Sequence, residues 1–199
     1  MDTKDAFLHV IYDHRYLALA SAGWSLYGPG GTADDQTRAN NVLPGIGVTL
    51  LDSLLLHARS LIDFYTKPVV GRRSTDILLP DFDGLSIGTA LSGKLLDYKK
   101  PVEVHVLHLT AWRDTTYRTG SPLYARPDWN TEATLLADLI VDALRDAASH
   151  AATAGSKWEQ PLKQLHTAAS SLASDPAFEW PANLTEKPDV TAYLVAQGL

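Results

Sequence analysis

The 199-residue sequence contains no cysteine and a single methionine. Without thiols there can be no disulfide, cysteine-based zinc site, iron–sulfur cluster or thiol nucleophile. Long apolar runs are missing as well. The uninterrupted ones, such as Leu54–Leu56, last a few residues and cannot span a membrane. Asp2, Lys4 and Asp5 precede any apolar stretch, so no signal peptide is expected and the reading is a cytoplasmic protein with no membrane contact. Positive charge is scarce: 17 Lys+Arg stand against 23 Asp+Glu, a formal net charge of -6. That balance argues against a general nucleic-acid binder.

The acid excess is uneven. Residues 57–126 hold ten cations and seven acids, whereas acids dominate on both sides. A polyanion would therefore meet the middle of the chain, where Arg72, Arg73, Lys94, Lys99 and Lys100 gather around Tyr98. Hydrophobic residues make up 45% of the chain and charged residues 20%, which fits one folded domain over residues 1–199.

Periodicity gives an all-α fold, a bundle of five to seven helices. Residues 4–27 have helical spacing and stop at Gly28–Gly31, and residues 32–46 read as a loop. Over 47–66, Leu50, Leu51, Leu54, Leu55, Ala58, Leu61, Ile62 and Tyr65 fall on one face at about 100° per residue. Leu56 and Phe64 interrupt its polar stripe and predict a second contact, such as another copy in a homodimer. Residues 68–86 read as a long loop, and 86–99 as a short helix broken before Pro101. Residues 102–114 alternate like a strand but sit among helices, and are read as a helix. Residues 131–153 form a second strongly amphipathic helix, and 156–173 another. From 174 to 199 the chain reads as an extended tail with a short helix near Thr191–Ala196.

Two short motifs carry a resemblance. His57-Ala58-Arg59-Ser60-Leu61-Ile62-Asp63-Phe64 is followed some tens of residues on by His108-Leu109-Thr110-Ala111-Trp112-Arg113. The pair resembles a pattern in bacterial helical proteins that are distantly similar to HEPN bundles. The resemblance implies a HEPN-like fold that binds or cleaves RNA without metal. Its cleavage pattern, Arg then a polar residue and later His, matches Arg145-Asp146-Ala147-Ala148-Ser149-His150. There a histidine would act as acid or base on the ribose 2′-OH, and an arginine would stabilise the phosphorane. Against this, residues five apart lie about 140° apart on a helix, which opposes convergence.

A ligand-holding set is also expected, with His57, Arg59, His108 and Arg113 facing one another across two helices and Arg72 and Arg73 as phosphate contacts. Arg59 and Asp63 have the spacing of an intrahelical ion pair. His105 with His108, or His9 with Asp13, has metal-ligand spacing, but no Glu-x-x-His occurs, which disfavours a ferritin-like di-iron bundle, and no metal or other cofactor is expected. Gly88–Leu95 nearly matches a P-loop but has Leu95 where Ser or Thr would hold magnesium. The alternatives to an RNA role are a non-catalytic module that binds a protein partner and, third, a bundle holding a small ligand or metal.

Overall fold

The computed structural model describes residues 3–29, 31–107, 127–175 and 177–184. Among them are six α-helices and no strand, so the expected all-helical bundle is what the chain forms. They are α1 (Thr3–Tyr27), α2 (Ala33–Val42), α3 (Ile46–Thr66), α4 (Thr89–Leu107), α5 (Trp129–Ala154) and α6 (Glu159–Ser174). Among the described residues no single helix is long and apolar enough to cross a membrane.

α3 forms because its apolar face is continuous over five turns, and it ends where Lys67-Pro68 cannot continue the ladder. α1 lies antiparallel against it: Trp24 faces Gly47, Gly23 faces Leu50, and Asp13 reaches His57. α4 and α5 also pack on α3, and α6 closes the bundle against α1 and α5. α5 starts at Asp128, whose carboxylate accepts from the Asn130 amide at 3.1 Å, and stops at Gly155, which sits at φ 63°.

Three local readings are corrected. Residues 32–46, read as a loop, contain α2. It is polar, with only Ala39 buried, so it shows no apolar stripe, but Thr32 Oγ1 caps it by accepting from the Asp35 amide at 3.1 Å. The expected break before Pro101 does not occur, and α4 runs through it. Proline removes one ladder bond, yet Leu95 and Val102 on either side are fully buried and hold both halves in the core. Residues 78–85, read as open loop, form an anchored strap: Leu78, Leu79, Phe82 and Leu85 are each at most 2% exposed. Residues 108–114 and the helix expected near 191–196 lie outside the described residues.

The strap is held by aromatic packing. The Phe82 ring sits 5.9 Å from Phe7, 5.9 Å from Phe64 and 4.7 Å from Trp158, and Phe7 lies 5.0 Å from Trp158. One of the two interruptions in the α3 polar stripe, Phe64, is thus explained inside the chain. Leu56 remains 49% exposed.

One polar pair is sealed between α1 and α3. His14 Nε2 and the Tyr65 hydroxyl share a hydrogen bond of 2.9 Å, and His14 is completely buried. Burial, aided by the nearby His166, pushes His14 down from 6.5 to about 3, while burial raises Tyr65.

Two predictions follow from this core. Phe82→Ala should cost about 3–5 kcal/mol in urea unfolding, and a loss under about 1 kcal/mol would mean that the strap is not held by the rings. The His14 shift has a defined pH sign. Its contribution is intact above about pH 6.5; below that the unfolded chain takes up a proton that the folded one refuses, and stability falls as pH drops towards 3. The slope should be roughly 1 kcal/mol per pH unit. The unfolding midpoint of His14→Leu should fall less steeply between pH 6.5 and 4, and parallel curves would refute this origin.

Candidate functional site

Three segments enclose a cavity of about 570 Å³. α1 contributes His9 and Asp13, one turn apart on the same side. α3 contributes Ser60 and Asp63, and Lys67 follows at its C-terminal cap, at spacings of three and four. The segment leading into the strap contributes Ser74, Thr75 and Asp76, and buried Val10, Leu61, Phe64 and Leu78 form the apolar floor. This volume lies within the range of small-molecule sites, roughly 300–1,000 Å³.

Each carboxylate is tied to a basic group. Asp13 Oδ1 meets His57 Nδ1 at 2.8 Å, Lys99 Nζ meets Asp63 Oδ1 at 2.7 Å, and Lys67 Nζ donates to Asp76 Oδ2 at 2.5 Å. Asp76 also accepts from the Arg73 amide at 2.7 Å. The Lys67 ammonium first, then that amide, holds the Asp76 carboxyl below its usual range. The carboxylates are therefore fixed in place and offer their remaining lone pairs to the cavity.

His57 stands behind Asp13. Its ring stacks on Tyr16 at 5.5 Å and 25° and meets Tyr12 edge-on at 5.4 Å. Asp13 thus fixes the imidazole from α1. Arg59, expected beside His57, is about 200° further round α3, and its Nε is buried without a hydrogen-bond partner among the described residues. The expected Arg59–Asp63 pair does not form, because Lys99 from α4 takes Asp63. The other two members of that set, His108 and Arg113, lie outside the described residues.

Arg145 and His150 engage different neighbours. Arg145 pairs with Asp142 at 2.8 Å on the exposed face of α5, and its charge helps burial lower His166 on α6. His150 Nδ1 accepts from the Ser86 amide at 3.0 Å, and Asp146 Oδ2 accepts from the Gly88 amide at 2.6 Å. Asp146 and His150, one turn apart on α5, thereby hold the residues that lead into α4. Arg72 is ion-paired with Asp81, and Arg73 hydrogen-bonds Asp76 through its amide while its charge adds a smaller attraction.

Sequence reading missed Ser60, Lys67 and Asp76 as members of one site, and it weighed Asp13 only as a metal ligand. The visible signal was the Ser60–Asp63–Lys67 stripe at the end of α3. Nothing local announced that Asp13 and Asp76 would join it. His105 sits 3.2 Å from Asp52 on α3. Among the described residues no group of three His, Asp or Glu side chains could hold a metal ion.

Asp146→Ala and His150→Ala should each cost about 1 kcal/mol in urea unfolding, and Arg145→Ala less than about 0.5. The reverse order would show that the α4 entry is held elsewhere. No family model, curated protein or solved structure matches the chain.

Proposed function

We propose that this protein is a helical binding module that takes a small polar ligand in the cleft between α1, α3 and the strap. One observation carries the reading: hydrogen-bonding groups from three separate segments converge on about 570 Å³ over an apolar floor. Such convergence is what a binding site requires, and ion pairs hold the walls before any ligand arrives.

A HEPN-like RNA-processing role is the second reading. The resemblance of the His57–Phe64 motif favours it, and so does an imidazole at His57 already oriented by a carboxylate. Catalysis by Arg145 and His150 would need them to face one phosphate, whereas their contacts run to Asp142 and to Ser86. The binding reading is therefore preferred.

Two measurements test it. Ligand-observed NMR against a fragment library should give hits on the parent that vanish in Ser60→Trp, which fills the cleft from an exposed position. Hits that survive the substitution, or no hits at all, would sink the proposal. Metal-free incubation with total RNA should leave the RNA intact. Cleavage by the parent that is lost in both Arg145→Ala and His150→Ala would establish the nuclease instead.

A further inference from the structure

We infer that the cleft selects a hydroxyl-rich ligand of monosaccharide size that carries no negative charge, and that it prefers an amino sugar to the neutral sugar. This rests on the binding reading above and adds the class of ligand.

The charge of the lining decides against anions. Asp13, Asp63 and Asp76 face the cavity, and the one lining ammonium, Lys67, is committed to Asp76 at 2.5 Å. The other basic partners, His57 and Lys99, are not part of the lining. A phosphate or carboxylate entering here would meet three carboxylates against one ammonium and the His9 imidazole. Lys67 keeps further N–H donors for such a group, but the Asp76 carboxylate at 2.5 Å offsets much of its attraction. A protonated amine meets the opposite field and is drawn in.

The hydrogen-bonding groups favour hydroxyls. Ser60, Ser74 and Thr75 are exposed, and their hydroxyls make no hydrogen bond within the described residues. Each can donate once and accept twice, so together they match groups that also do both. The carboxylates are fixed acceptors: Asp13 Oδ1 contacts His57 Nδ1 at 2.8 Å and Asp63 Oδ1 lies 2.7 Å from Lys99 Nζ, so Oδ2 of each is the acceptor a ligand hydroxyl or amine would use. Beneath them, Val10, Leu61, Phe64 and Leu78 offer a hydrocarbon floor for the C–H face of a ring. A polyol satisfies all three features at once. A purely apolar ligand would bury the hydroxyls and carboxylates without partners.

The test uses the full chain and three probes of one skeleton: glucosamine, glucose and glucose 6-phosphate. Affinities are read by ligand-observed NMR titration at low and high salt. Glucosamine should bind roughly three- to tenfold tighter than glucose, and glucose 6-phosphate at least about tenfold weaker than glucose, with both gaps narrowing at high salt. Ser60→Trp should abolish binding of all three while leaving the urea midpoint unchanged. Asp76→Asn, which frees Lys67, should raise glucose 6-phosphate relative to glucose. If glucose 6-phosphate binds the parent as tightly as glucose and is lost in Ser60→Trp, the ligand class is wrong but the cleft reading stands. Glucose binding above glucosamine overturns the charge argument in the same way. If neither glucose nor glucosamine binds, the inference falls, and if Ser60→Trp binds as the parent does, the cleft reading falls with it.

Discussion

The arrangement depends on one ring. Phe82 is inserted among Phe7 of α1, Phe64 of α3 and Trp158 just before α6. Residues 68–88 have little regular structure, a single 3₁₀ turn at Leu79–Asp81, so their position cannot come from a helical ladder. It comes from burying Leu78, Leu79, Phe82 and Leu85. With the strap seated, Ser74–Asp76 stand as one wall of the cleft. At its other end Ser86 and Gly88 arrive where His150 and Asp146 receive their amides. The site and the entry to α4 are consequences of the same plug.

α1 and α3 are joined by two polar contacts of different character. Adjacent residues on α1, Asp13 and His14, reach His57 and Tyr65, which lie eight residues apart on α3. An axial slide of one helix along the other would break both, so the pair fixes register as well as adding energy. The His14 contact is dry, and burial keeps that imidazole neutral. The Asp13 contact borders the cleft, with 22% of the carboxylate side chain still exposed. One brace stabilises the bundle, and the other both stabilises it and presents a carboxylate to the cavity.

The parts of this fold that could be read in the sequence are those with a local cause. α3 and α5 declare themselves because burying one face of a long helix requires apolar residues every three or four positions. α2 does not, because it buries almost nothing, and only Thr32 with Asp34 and Asp35 marked its start. The run of α4 through Pro101 depends on Val102 finding a buried place against distant residues, which no window of sequence contains. The strap was hidden for the same reason: four apolar residues among Pro80, Asp81, Asp83 and Gly84 look like loop until Trp158 and Phe7 supply the other side. The site was legible in half. The polar stripe at the end of α3 could be counted, but Asp13 arrives through His57, 44 residues away, and Asp76 through Lys67, nine away.

The same non-local pairing changes what the basic middle of the chain means. Counted along the sequence, residues 57–126 are a cationic stretch suited to phosphate. In space, Lys67 is tied to Asp76, Arg72 to Asp81 and Lys99 to Asp63. Each of these pairs holds the strap or a wall of the cleft. A cation held by a carboxylate contributes little field at a distance and releases few counterions, so it adds little to binding a polyanion. These three pairs lie within the stretch and leave its net charge unchanged, but they fix three of its cations in the strap and the cleft walls. The cleft itself is lined by carboxylates whose positions those basic groups fix.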